Sequence, residues 1–354
     1  MKTRIAVGTL GLLACALVVA VLFGDEPNRE PPATQPAVAQ RLDVAKLKIT
    51  GPYTHENLSI FLLHGPDLIK GKSFLTLQEA LTSKKLIVHE TGDVGELAVE
   101  NVGEVPVYIQ SGEILKGGRQ DRMVQYDCVV PPKSGKKPLA SFCVEHGRWR
   151  RRGDEEVGVF SSSANMAVGN EMKLAAKLKG DQSLVWSNVD QAQKRLSRNV
   201  GADVRSTQSA SSMQLTLEND RVKEAAIPYK MKLAGLLKDH PDAIGCAAVV
   251  NGEVSTVDVY ASAALFARLW PKLLESSVFE AVAEYKKDAK FAQPAARDIR
   301  EFVAKVEKVK ATDKQVAPGM LMQLRQADGA ASFETYSAGS EIHRGYHKIE
   351  KEKD

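Results

Sequence analysis

The sequence predicts an α+β fold, with an N-terminal antiparallel β-rich sheet or sandwich, a helical segment and a returning C-terminal hairpin. Three observations carry this. Residues 41–145 break into short runs of alternating or β-branched residues, bounded by Gly, Pro, Asn or charged turns. Residues 160–310 carry helical periodicity, interrupted by one hairpin. The chain then ends in strand-like runs again.

In chain order, "MKTR" is a short positive start, and an uncharged apolar run from Ile5 to Phe23 follows it. That run is long enough to span or nearly span a bilayer. Three readings fit it: an uncleaved signal-anchor, a cleaved signal peptide with a small-residue site near Ala20 or Gly24, or a lipoprotein signal in which "LLAC" presents Cys15 for acylation. Each exports the rest of the chain, so a periplasmic or extracytoplasmic location is expected, with the membrane as partner through residues 1–24. Residues 25–40 are Pro-rich and polar, the composition of a tether. Residues 41–350 read as a single α+β domain, with a sub-boundary near 155 as the alternative.

The first strands are "LDVAKLKI", "NLSIFLLHG", "KLIVHET", "GELAVEN", "VPVYIQSG", "RMVQYDCVV" and "PLASFCVE". One helix interrupts them at "TLQEALTSK", where Thr76 and Glu79 have capping-box spacing. "VWSNVDQAQKRLSRNV" spaces Val185, Val189, Ala192 and Leu196 on one helical face. Residues 206–214, rich in Ser and Gln, read as a mobile loop. Asn219 or Asp220 caps the next helix, which Pro228 is expected to kink or restart. Asn251-Gly252 is a type I′ turn signal for a hairpin. The apolar helix after it is expected to break near Pro271, and "AARDIREFVAKVEKV" is a further helix. A hairpin around Asp328-Gly329 and the strand "EIHRGYHK" close the domain.

Composition narrows function. The 354 residues are 44% hydrophobic and 26% charged, with a net charge of +4, so a packed core is expected and nucleic acid is not the expected partner. The basic cluster "RWRRR" is followed at once by "GDEE" and reads best as a solvated turn. Of the four cysteines, Cys15 lies in the apolar run, and the spacing of Cys128, Cys143 and Cys246 identifies no disulfide. Cys143 with His146 and His343 with His347 form Cys-x-x-His and His-x-x-x-His pairs, but without the tighter ligand pairs and turn glycines usual in structural zinc sites, so no metal is assigned, and the sequence names no cofactor.

Two stretches concentrate polar chemistry. In "GEILKGGRQDR", Val107, Ile109, Ser111 and Glu113 alternate onto one face before a glycine pair, Gly117 and Gly118. Lys116, Gln120 and Arg122 flank the pair, and backbone N–H groups with such neighbours suit an anionic or polar ligand. In "SFCVEHGRW", Ser141, Cys143 and Glu145 share one strand face, Phe142 and Val144 take the core face, and Arg148 and Trp149 follow. If the stretches adjoin, Glu113 and Glu145 are the acid/base candidates. Gly117, Gly118, Gln120, Arg122, Arg148 and Trp149 then bind the ligand, joined by Lys116, Cys143 and, from the last strand, His343. Surface ion pairs, Glu113 with Lys116 or Arg122 and Glu145 with Arg148 or Arg150, are the plain alternative.

These same segments, "GELAVENVGEVPVYIQSGEILKGGRQDRMVQYDCVVPPKS" and "PLASFCVEHGRW", resemble the ARG and Rhodanese-Phosphatase-superfamily-associated protein domain family. The matching positions are Glu113, Gly117, Gly118, Arg119, Gln120, Arg122, Cys143, Glu145, Gly147, Arg148 and Trp149, and the resemblance runs from about 50 to 347. It implies binding, or hydrolysis, of a small polar or phosphate-bearing ligand such as ADP-ribose or another NAD-derived compound. The alternative is a non-catalytic interaction or structural domain of the bacterial envelope.

Overall fold

The structure is a computed structural model that describes residues 41–350 apart from 70, 157, 167 and 168. The expectations on residues 1–40 (signal, anchor, Cys15 and tether) lie outside the described residues. Among the described residues no helix is long and apolar enough to cross a membrane.

The elements are β1 (Lys48–His55), β2 (Leu58–His64), β3 (Leu75–Thr76), α1 (Leu77–Thr82), β4 (Leu86–Glu90), β5 (Glu96–Asn101), β6 (Val107–Ile109), β7 (Glu113–Gly117), β8 (Arg122–Val124), β9 (Cys128–Val130), β10 (Lys136–Cys143) and β11 (Phe160–Met166). After them come α2 (Asn170–Leu174), α3 (Gln182–Val200), α4 (Met213–Leu217), α5 (Asp220–Leu233), α6 (Leu236–Asp239), β12 (Ala243–Val250), β13 (Glu253–Tyr260), α7 (Ala263–Ala283) and α8 (Ala296–Glu307). The chain closes with β14 (Thr312–Ala317), β15 (Met320–Ala327), β16 (Ala330–Ser337) and β17 (Ser340–Lys348). The α+β class is as the sequence predicts.

An eight-stranded antiparallel sheet, ordered β1-β2-β12-β13-β17-β16-β15-β14, joins the two ends of the domain. The inserted hairpin β12–β13 is the link: β12 pairs with β2, and β13 with β17. Both faces of this sheet are covered. Along β2 the two-residue alternation sends Leu58, Ile60 and Leu62 into the larger core under α3, α5 and α7. Phe61 and Leu63 face the opposite core, against Ile299, Val303 and Val306 of α8. That i, i+4, i+7 stripe is the whole buried face of α8.

A six-stranded sheet, β11-β7-β8-β10-β5-β4, and a small sheet, β3-β6-β9, share a third core with Leu77 and Ala80 of α1. The pair β3–β6 is parallel, an exception to the antiparallel expectation. Thr76 and Glu79 form the expected capping box. The four apolar residues predicted on α3 are all buried.

Four local expectations are corrected. The run 107–113 is not one strand: β6 and β7 belong to different sheets, separated by a turn through Gly112 at φ 89°. The helices α5 and α7 continue through Pro228 and Pro271, so neither restarts or breaks there. A proline removes one helical hydrogen bond, and the buried flanks of α7, including Leu269, Trp270, Leu273 and Leu274, hold that helix in place. Residues 206–214 do not hang free, because Ser212, Met213 and Gln214 are buried and Ser212 caps α4. Around β10 both faces are covered: Ser141, Cys143 and Glu145 are fully buried, Val144 is too, and Phe142 is half-buried.

Candidate functional site

The glycine pair shapes the turn between β7 and β8. Gly117 has φ 124°, and a Cβ there would lie 2.4 Å from the Val159 carbonyl oxygen. Gly118 has φ 56°, and a Cβ there would lie 2.2 Å from the Phe160 ring. Only glycine fits such close approach at positive φ. The tight turn brings the Asp121 carboxylate back to accept from Gly117 N at 2.9 Å.

Asp121 and Glu145 are both fully buried. Arg152 clamps Asp121 with two bonds, at 2.7 and 3.1 Å, and Ser212 Oγ donates to Asp121 at 2.9 Å. Arg148 Nε donates to Glu145 at 2.6 Å, Nη1 donates to the carbonyls of Gly118 and Arg150, and Nη2 reaches that of Gly117 at 3.4 Å. Burial, together with neighbouring Glu145, pushes Asp121 above the usual carboxylate range against the pull of Arg152. Burial also pushes Glu145 upward, but the bond from Arg148 and others outweigh it and hold the carboxyl low. A carboxyl held low beside an arginine is ionised near neutrality, accepts hydrogen bonds and has no proton to donate.

Gln120 ties the turn to β10. Its Nε2 donates to the Glu145 carbonyl at 2.8 Å, and its Oε1 accepts from Cys143 Sγ at 2.9 Å. Burial, against Arg122 and with Glu90 and Glu145, pushes the Cys143 thiol up to about 11, so it is protonated and unreactive at neutral pH.

Arg122 differs from its neighbours. It is wholly buried, and one nitrogen donates to the Gln120 carbonyl at 3.0 Å. Its Nε and Nη2 have no hydrogen-bond partner. Nη2 stands 3.9 Å from Glu90 Oε2, which also lacks one. The Trp149 ring covers it, with the guanidinium carbon 5.5 Å from the ring centroid and that of Arg119 at 5.4 Å. Trp149 is itself 42% exposed.

Eight of the expected site residues therefore gather: Gly117, Gly118, Gln120, Arg122, Cys143, Glu145, Arg148 and Trp149. Three do not join them. Lys116 pairs with Glu218 at the end of α4, at 2.7 Å. Glu113 sits at the other end of β7, about 13 Å from Gly117 at strand rise. Its carboxylate binds Lys272 Nζ of α7 at 2.6 Å and accepts from Gln110 N at 2.8 Å. Glu113 and Glu145 thus belong to different networks, and the shared cavity expected of them is not formed.

His343 lies in the interior between Asp127 (2.7 Å) and Asp258 (2.9 Å), stacked on Tyr260 with ring centroids 4.5 Å apart. Tyr260 OH donates to Gln110 Oε1 at 2.8 Å, so His343 and Glu113 are members of one buried chain of polar groups. His146 packs on Trp186, and His347 bonds Asn170, so neither joins Cys143 or His343. Among the described residues no group of His, Cys, Asp and Glu is arranged to hold a metal ion.

Sequence reasoning missed Asp121 and Arg152 as partners. The signal was present: Arg148 and Arg152 of "RWRRRGDEE" are buried while Arg150 and Arg151 are exposed, a four-residue spacing that the solvated-turn reading overlooked. Asp127 and Asp258 were also missed, although each interrupts an apolar strand run.

The profile of the ARG and Rhodanese-Phosphatase-superfamily-associated Protein domain matches residues 46–345. No curated protein and no solved structure matches the chain. The match covers most of the chain, and the chain belongs to this domain family.

Proposed function

We propose that this member of the family is a binding domain for a small phosphate-bearing ligand, held by Arg119 and Arg122 against Trp149. The observation that carries the reading is the Arg122 guanidinium, buried yet with two nitrogens that make no hydrogen bond, Nη2 standing 3.9 Å from Glu90. An unpaired buried donor is costly, on the order of 1–3 kcal/mol and more when charged, and a phosphate oxygen pair matches the guanidinium fork. Trp149, half-exposed and two residues after Gly147 at φ 82°, provides a ring face for a base or sugar and covers the guanidinium. ADP-ribose or another NAD-derived diphosphate, the ligand class implied by the family resemblance, combines these two chemistries.

Binding is favoured over hydrolysis by the placement of the acids. Glu145 is neutralised by Arg148, and Glu113 is bound to Lys272 in another network. The Asp121–Arg152–Glu145–Arg148 lattice serves in this reading as the rigid floor of the site. The same lattice favours the second reading, a non-catalytic structural domain in which these groups only lock turn to sheet. The apolar run at 5–23 supports export of the domain and attachment to a membrane.

A thermal-shift screen of the full-length protein against ADP-ribose, nucleotides, sugar phosphates and divalent metals separates the readings. Stabilisation by a phosphate-bearing compound that disappears in Arg122→Gln supports binding. A flat screen, with Arg122→Gln folded as wild type, leaves the structural reading standing and removes this one.

A further inference from the structure

A groove of about 490 Å³ opens along α3, within the range of about 300–1,000 Å³ usual for small-ligand pockets. Its floor is Trp186 of α3, with His146 set edge-on to the indole, ring centroids 4.4 Å apart. Its rim is Asp190, Gln193 and Arg205. Ala210 and Ser211 add to the wall, and Ser211 Oγ donates to the His146 carbonyl at 2.6 Å.

The rim is pre-oriented. Gln193 is buried and fixed by its own bonds to the Ala210 carbonyl and Thr216 Oγ1. Its Oε1 accepts from Arg205 Nε at 3.3 Å, and Asp190 accepts from Arg205 Nη2 at 2.6 Å. These bonds use Arg205 Nε and Nη2 and leave Nη1 out, and the half-exposed Asp190 carboxylate keeps acceptor capacity. The bond from Lys194, with weak burial opposing and Arg205 assisting, holds Asp190 below the usual carboxylate range. The indole Nε1–H is buried without an acceptor, so polar demand at Trp186 is unmet by the protein itself.

A fixed carboxylate–guanidinium pair beside an aromatic face matches one chemistry closely. Adjacent hydroxyls on a ring donate to the carboxylate and accept from the guanidinium, while the ring's C–H face lies on the indole. Asp190 is shared by Arg205 and the exposed Lys194, and its carboxylate on the rim disfavours an anion beside the guanidinium. We infer that this groove is a second site, separate from the one at Arg122, and that it takes the pyranose ring of a neutral sugar.

Saturation-transfer NMR on the full-length protein, with glucose, N-acetylglucosamine and maltose as probes, tests this. Transfer to ring protons is expected, with affinity in the millimolar range typical of about −4 kcal/mol. It should vanish in Trp186→Ala and fall at least about tenfold, or ~1.4 kcal/mol, in Asp190→Asn, a surface change that leaves the fold intact. It should persist in Trp149→Ala, which separates this site from the other. No transfer from any of the three sugars, or transfer that survives Asp190→Asn unchanged, overturns the inference. Binding of inorganic phosphate in the groove without sugar binding overturns it equally.

Discussion

The imidazole of His343 donates to Asp127 Oδ2 at 2.7 Å across 216 residues of sequence, and its other nitrogen meets Asp258 at 2.9 Å. Asp127 precedes β9 of the small sheet, and Asp258 and His343 lie on β13 and β17 of the large one. The histidine is therefore a charged pin between two sheets.

Its charge sets a pH window. Burial pushes His343 down, but Asp127 and Asp258 outweigh it and raise it from 6.5 to about 9. A raised histidine stabilises the fold fully below its unfolded pKa, and that contribution is lost as pH rises through about 9. Burial likewise pushes Asp127 and Asp258 up, yet Lys177 and His343 for the first, and His343 for the second, bring both below 3.8. Their contribution is present above the usual carboxylate range and is lost as pH falls below it. Urea unfolding should show a loss on the order of 3 kcal/mol between pH 6.5 and 10 in the wild type. His343→Gln should be less stable at pH 6.5 and nearly flat over that span. A wild type that is flat, or a variant that keeps the full slope, would refute the pin.

The Cys143 thiol, raised to about 11 and buried, is expected to resist alkylation. Iodoacetamide at pH 7.5 followed by peptide mass mapping should find Cys143 unmodified in the folded protein and modified in urea. Fast native labelling would show that Gln120 and burial do not mask it.

Removing either carboxylate leaves a buried cation. Glu113→Gln weakens the hold on Lys272, and Glu145→Gln that on Arg148. Each should destabilise by about 3–5 kcal/mol, read as a lower denaturant midpoint. Because they sit in different networks, the double variant should be additive to within about 0.5 kcal/mol. A strong coupling would mean that the two glutamates do share a site.

Gly117→Ala places a methyl group against the Val159 carbonyl at φ 124°. Strain of about 1–3 kcal/mol from the backbone alone should lower the melting temperature, and the displaced turn should expose Asp121. An unchanged melting temperature would show that the turn relaxes freely.

Legibility of the fold followed locality. The Thr76 cap, the Asn251-Gly252 hairpin and the apolar face of α3 depend on neighbours within four residues, and each is visible in the sequence. The pairing of β2 with β12 is set by contacts across the whole domain, and strand runs do not announce their partners. Pro228 and Pro271 misled because tertiary packing overrides a local penalty. Within the site, the eight gathered residues come from two short segments joined by one antiparallel pairing, β8 with β10, and so could be read together. Glu113 is assigned elsewhere because its partner, Lys272, lies 159 residues away.

The cover over Arg122 has its own signature. Trp149→Ala removes cation–π contacts of about 0.5–2 kcal/mol from a side chain 42% exposed, so stability should change by no more than that. Ligand affinity should fall much further. A variant that loses stability and affinity in equal measure would mark Trp149 as structural.

Calorimetric titration of ADP-ribose and pyrophosphate into wild type, Arg122→Gln and Trp149→Ala decides most directly whether the buried guanidinium is a ligand site. Saturable binding to wild type is expected. Arg122→Gln should abolish it for both compounds, and Trp149→Ala should weaken ADP-ribose more than pyrophosphate. Heats that are absent in the wild type, or identical in a folded Arg122→Gln protein, would contradict it.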